Sequence, residues 1–341
     1  MSSSRPPALL AATVTTLSWG GMFVVAESAF AHVDAVWQTA LRYGAASVVF
    51  LVLLAFREGR AAFTPSRQLL PVAALGTIGF AGFNLLAFVG LRWTTPQAAS
   101  LIVSTMPLLT AFVLWARTGV RPRPLTWATG AVALVGVATV LGDGDPAAVL
   151  HGGLNRGDLL VLLGATSWVV YTTGAAGFPQ WSPLRYTALS ATAGSVVIVV
   201  LALALSAAGV LVVPTAGDVA AIGWQLAYVI VVAAVVAVLC WNHAMRVLGA
   251  QDGVLFINLV PVTTFTIQAL RGDAPHAGEL VGVALTLGAL VANNLLGRRD
   301  GRRAQRAGAA STSATASSPR RTSANEVDSG DSPILSPSGS R

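Results

Sequence analysis

The chain has 341 residues, 54% of them apolar and only 10% charged, with a mean hydropathy of +0.69. Soluble domains carry about 25% charged residues, so this composition excludes an ordinary water-facing globular enzyme. The net charge of +7 does not indicate nucleic acid, because the arginines gather in loops and in the last segment, and the lone Cys240 excludes a disulfide framework or a Cys-based metal site.

Apolar stretches of about 20 residues recur, the length an α-helix needs to cross the hydrocarbon core of a bilayer. In chain order they predict ten spans, at about 8–30, 36–56, 69–90, 97–116, 124–142, 157–177, 185–206, 221–245, 252–271 and 278–297. The small-x-small Ala29-Phe30-Ala31 after the first span has the form of a cleavage site. The run before it is long and its Ser18-Trp19 pair recurs later, so the span is read as retained. Loops at Arg57–Arg67, Val120–Pro124, Gly142–Arg156, Phe178–Pro183 and Val213–Asp218 carry Pro, Gly and Arg punctuation. With the N-terminus inside, nine arginines before residue 298 fall on internal loops and ends, against Arg92, Arg156 and Arg271 outside. That asymmetry predicts both termini in the cytoplasm. Residues 298–341, rich in Ser, Arg, Pro and Gly, cannot bury a core and read as a disordered cytoplasmic tail. The arginines of 298–306 are placed to meet anionic headgroups.

The chain is also like itself. Ser18-Trp19 and Leu41-Arg42-Tyr43 return as Ser167-Trp168 and Leu184-Arg185-Tyr186. Gly90–Pro107 aligns without a gap on Ala244–Pro261, and Gly130 and Gly136 answer Gly282 and Gly288. Five spans per half is an odd number, so the second half is inverted relative to the first. The expected fold is an all-α membrane protein of two inverted five-helix repeats, 1–145 and 146–297, followed by the tail 298–341. Duplicated halves of this kind place a transport site between them.

Trp19-Gly20 in the first span, Leu41-Arg42 opening the second, Leu91-Arg92-Trp93-Thr94-Thr95 and Ser104-x-x-Pro107 together resemble the EamA-type transporters of the drug/metabolite transporter superfamily. In the second half Trp241-Asn242-His243-Ala244-Met245, Asn258-Leu259-Val260-Pro261 and Gly272-Asp273 extend the likeness over 8–297. The resemblance implies ten helices in two repeats and transport of small molecules. The chain departs from the family pattern at Ala116-Arg117-Thr118, which lacks an acid, and at Glu27.

Glu27 is the sharpest candidate, since an ionisable group inside a membrane helix is by default functional. It could carry protons as coupling ion or bind a cationic substrate; the bland alternative is an interfacial anchor. Arg42 and Arg185 begin matching spans and are gate candidates, with snorkelling at the interface the favoured reading of both. Trp19, Trp168, Tyr171 and Trp241 lie away from the interfacial belts and are candidate cavity walls. Asn84 and Asn258, with Asn242, His243 and Gln268, are polar groups at membrane depth, suited to interhelical bonds or a wet cavity. Pro107 and Pro261 are expected to bend two helices at symmetric places. Asp143, Asp145 and Asp158 with His151 are loop groups read as solvated rather than metal-binding. Catalytic and nucleotide-binding motifs are absent, so no cofactor or metal is expected.

The sequence thus predicts a secondary transporter in the plasma (inner) membrane of a bacterium. It is expected to export a small metabolite, amino acid or drug-like molecule, with the lipid bilayer and the substrate as its partners. The alternative is an integral-membrane enzyme or lipid-handling protein.

Overall fold

The computed structural model describes residues 5–64, 66–148, 155–248, 254–293 and 295–296, without the side chains of Asn242, Arg246, Val254 and Leu255. The tail 298–341, His151 and the side chain of Asn242 lie outside the described residues. Every regular element among them is helical.

Among the described residues seven helices are long and apolar enough to cross a membrane. They are α1 (Arg5–Ser28), α2 (Ala35–Glu58), α3 (Leu69–Gly90), α6 (Pro124–Leu141), α7 (Arg156–Gly177), α8 (Pro183–Ala207) and α10 (Gly223–Met245). An eighth crossing forms if α4 (Pro96–Ser104) and α5 (Met106–Thr118), which meet at 45°, count as one. Short α9 (Ala216–Ala221) precedes α10. The apolar helices α11 (Leu259–Leu270) and α12 (Ala277–Asn293) fall short of the spanning length, where two further full crossings were predicted.

Helix starts follow from short polar side chains. Asp34 accepts from the Val36 N–H at 2.8 Å, Thr95 from Ala98 at 3.1 Å and Ser182 from Arg185 at 2.9 Å. Asn155 and Asp158 form a reciprocal capping box at α7. Asp158 is therefore no solvated loop acid: it is buried and accepts from the Thr94 hydroxyl. The α4–α5 break sits just before Pro107, and a 3-10 turn, Val254–Asn258, comes just before Pro261. Each proline lies in the first turn of the helix that follows, where its missing N–H costs nothing.

Two π-helical stretches interrupt α3 at Thr77–Gly82 and α10 at Tyr228–Val236. Such insertions concentrate at functional places. The outward face of α8 shows Val196, Val200 and Leu203, each more than half exposed and one helical turn apart. A stripe of that kind suits lipid, not water. Inside, one apolar cluster centres on Phe23, Phe88, Leu101, Val161 and Val260, and a second on Phe50, Phe80, Tyr186 and Ile198. Trp168 packs against both.

Helix pairing defines two ends. At the Asp34 end, Trp37 donates to Ser206 at 2.9 Å, Gln38 to the Ala26 carbonyl at 3.3 Å, and Arg92 pairs with Asp34 at 2.7 Å. At the Glu58 end, Ser182 bonds Glu58, and Arg117 donates to Thr173 at 3.1 Å. Close approach between α6 and α12 requires glycine: a Cβ on Gly136 would lie 2.6 Å from the Gly282 carbonyl oxygen, and one on Gly282 2.6 Å from that of Gly136.

Candidate functional site

Two neighbouring hollows within the bundle share part of their linings. The inner one, about 50 Å³, is lined by Met22, Phe23, Arg42, Phe83, Met106 and Val260 among others. The outer one, about 390 Å³, is walled by Phe80, Tyr171, Phe178, Trp181, Tyr186 and Trp241. Trp19, Trp168 and Val238 belong to both linings. The outer hollow reaches Pro179 and Pro183, exposed residues at the Glu58 end. Its volume falls in the range of small-molecule sites, about 300–1,000 Å³.

The walls are aromatic because five helices, α1, α3, α7, α8 and α10, bring rings into contact there. Trp19 of α1 lies 5.3 Å from Trp241 of α10, ring to ring. Trp168 stands against Phe80 at 5.5 Å, Phe83 at 5.6 Å and Tyr171 at 5.1 Å. Tyr171 stacks on Tyr186 at 5.2 Å and shares a 3.0 Å hydrogen bond with Ser190. Each ring pair adds about 0.5–1.5 kcal/mol beyond its buried area, so the wall is stiff as well as apolar. Trp19 and Trp168, matched in the internal likeness, meet at the same hollow.

Arg42 is not at an interface. It is only 4% exposed, two turns into α2, and faces the inner hollow. The snorkelling expectation fails here, since protein covers the guanidinium. Its Nε donates to the Val229 carbonyl at 3.1 Å, Nη1 to Asn84 Oδ1 at 3.4 Å and Nη2 to the Met22 sulfur at 2.9 Å. Its carbon also lies 4.9 Å from the Tyr43 ring centre and 5.3 Å from that of Phe88. The π stretch of α10 supplies that Val229 carbonyl, and a second, at Ala233, accepts from Trp19 Nε1 at 3.1 Å. Removing an ion from water costs several kcal/mol even after relaxation, and no carboxylate bonds Arg42 among the described residues.

At the Asp34 end a chain of polar contacts ties α4 to the end of α11. Arg271 donates to Gln268 at 3.1 Å, Gln268 to Gln97 at 3.4 Å, and Gln97 to Asp273 at 2.7 Å. Gln97 and Gln268 are both buried. Glu27, in the last turn of α1, is within electrostatic reach of Arg271 and Asp273 and lines neither hollow. The structure therefore groups Glu27 with the closed end, apart from the tryptophans.

Asn84 is fully buried, donates to the Phe80 carbonyl at 2.8 Å and accepts from Arg42. Asn258 is buried with neither amide atom bonded, between Ile257 and Leu259; Ile257 lines the inner hollow. Arg185 sits at the Glu58 end, half-buried, with its guanidinium 4.4 Å from the Trp181 ring centre and its Nε without an acceptor. Arg42 and Arg185 match in sequence but not in surroundings. His243 is exposed. No group of three or more potential metal ligands occurs among the described residues. Sequence reasoning missed Gln97, which follows Thr95-Pro96 and reads as one more polar residue at a helix start. It also missed Met22 and Phe80, whose apolar side chains give no signal separable from core.

Comparison with known proteins agrees with this architecture. The family described as EamA-like transporters matches twice, at 6–142 and 155–295. The Bacillus subtilis protein named "Uncharacterized transporter YrdR" is 31% identical over 295 residues, covering 85% of this chain and 92% of its own. Another from the same organism, "Uncharacterized transporter YyaM", is 30% identical, covering 81% and 90%. A solved crystal structure with 24% identity superposes with a TM-score of 0.61, over 86% of this chain and 99% of its own, and shows the fold.

Proposed function

This chain belongs to the EamA-like transporter family and is a membrane transporter, and we propose that it works as a secondary exporter of small organic molecules by alternating access. The carrying observation is the asymmetry of the central site. The outer hollow reaches exposed residues at the Glu58 end, while the Asp273–Gln97–Gln268–Arg271 chain ties helices together at the Asp34 end. A site open on one side and hydrogen-bonded shut on the other is one half of a transport cycle.

The ten-crossing, inverted-repeat reading takes α4 and α5 as one bent span and α11 and α12 as the last two crossings. The double family match, the paired π stretches and the two first-turn prolines support it. Arg57, Arg60, Arg67, Arg117, Arg121 and Arg123 cluster at the Glu58 end, which the positive-inside rule makes cytoplasmic. The hollow then faces the cytoplasm of a bacterial plasma membrane, as a substrate-loading exporter requires. Trp19, Trp168, Tyr171 and Trp241 form the walls of the substrate site, with Asn84 and Asn258 as its polar groups. Arg42 and Arg185 act near its two ends, and Glu27 is the group through which protons couple to the closed end.

Sealed proteoliposomes preloaded with a small-molecule panel test the reading. It requires saturable movement of unmodified substrate across the bilayer. Chemical turnover in detergent without vectorial movement would establish the membrane-enzyme alternative. A Cys at Gly144, in the loop after α6, should react with impermeant maleimide only from outside the cell; reaction only from inside inverts the topology.

A further inference from the structure

We propose that Arg42 is the anchor for a negatively charged group on the substrate, and that this transporter carries organic monoanions: a carboxylate on a flat apolar body. The inference rests on the transporter reading above and adds the sign and chemistry of the cargo.

Arg42 faces the inner hollow, nearly completely buried, and three of its five N–H bonds have acceptors. Only the Val229 carbonyl is an ordinary one; the Asn84 contact is long at 3.4 Å and the third acceptor is the Met22 thioether. The titratable groups acting on it are the phenols of Tyr43 and Tyr228, and neither is a carboxylate. A guanidinium presents a planar fork that fits a carboxylate with two parallel hydrogen bonds. A bound carboxylate would displace the two weak contacts and neutralise a charge that the fold leaves uncompensated.

The same linings fix the rest of the substrate. Among the described residues neither hollow has a second basic residue or any acid in its lining, so one negative charge is matched and a cation finds no carboxylate there. The inner hollow of about 50 Å³ has room for one small polar group. The body of the substrate then extends past Trp19 and Trp168 into the aromatic outer hollow, where flat rings supply contact area.

The test uses the full-length protein in detergent, with phenylacetate, phenylacetamide, 2-phenylethylammonium and chloride compared at equal ionic strength. Binding is read from the unfolding midpoint and from tryptophan fluorescence. Phenylacetate is expected to bind at least about tenfold tighter than its amide, since a charge-assisted pair is replaced by a neutral one. Arg42→Gln should bring that ratio close to one, and Arg42→Lys should keep part of it. The wild-type ratio needs no variant to fold. Equal binding of acid and amide, no binding by any probe, stronger binding of the ammonium, chloride acting as well as phenylacetate, or a preference that survives in Arg42→Gln each overturns the proposal. Counterflow in proteoliposomes separates the two readings. Arg42-dependent binding without movement sinks the transporter mechanism and leaves the anion site. Movement of solutes with no preference for acids does the reverse.

Discussion

Replacing Gln97 by Leu should unlock the closed end of the bundle. The substitution keeps nearly the same side-chain volume and removes both hydrogen bonds of the central link, the 2.7 Å bond to Asp273 and the 3.4 Å bond from Gln268. When this end opens, the same groups bond to water, so only the net value of each bond counts, about 0.5–1.5 kcal/mol. Asp273 is exposed, which holds its bond toward the lower part of that range. Two bonds then give about 1–2 kcal/mol, a shift of roughly 5- to 30-fold toward the state open at the Asp34 end. In a Cys240→Ala background, a Cys at Ser100 reports on that end, one turn below Gln97 and fully buried in the closed state. A Cys at Thr187 reports on the open hollow. Gln97→Leu should speed maleimide labelling at position 100 by roughly that factor and slow it at position 187. If both rates stay within twofold of the parent, the polar chain does not hold the end shut and the closure argument fails.

Four further outcomes are expected. Gly136→Val forces side-chain carbon onto the Gly282 carbonyl and should cost about 1–3 kcal/mol, seen as a lower unfolding midpoint. Gly288→Ala, where an added Cβ meets nothing within 4 Å, should be neutral or slightly stabilising. Trp168→Ala removes the ring shared by both apolar clusters and both hollows. It should abolish saturable flux and destabilise by up to about 3–5 kcal/mol, whereas Trp168→Phe keeps most of both. Glu27→Gln should abolish uphill transport driven by a pH gradient while sparing counterflow in proteoliposomes. Uphill transport at the parent rate would remove Glu27 from proton coupling.

The internal likeness predicted equivalence for Arg42 and Arg185, and the pair shows where one-dimensional reasoning stops. Both follow leucine and precede tyrosine in the first half of a helix, Arg42 two turns into α2 and Arg185 in the first turn of α8. Arg185 stays at the Glu58 end over Trp181. Arg42 is covered because the π stretch of α10 and the Asn84 turn of α3 pack over it. Burial of a charge depends on which helices cross above it, and that is a property of packing. Glu27 teaches the same lesson in reverse. Its depth in the first span made it a cavity candidate, but the parallel packing of α1 on α11 carries it past the hollow to Arg271 and Asp273.

The amino-acid order alone determined the membrane class, the all-helical composition and the family. Each of these rests on local quantities: apolar run length against bilayer thickness, and short motifs with their spacing. It also singled out Trp19 and Trp168, because duplication leaves the same residue at both halves of a shared wall. Tertiary structure alone decided which polar groups face the hollow and which seal the end. Gln97 is far along the chain from Gln268 and Asp273, and the three become one hydrogen-bonded chain only when α4 and α11 lie side by side. Only the same packing leaves Arg42 as a buried cation with no acid bonded to it among the described residues.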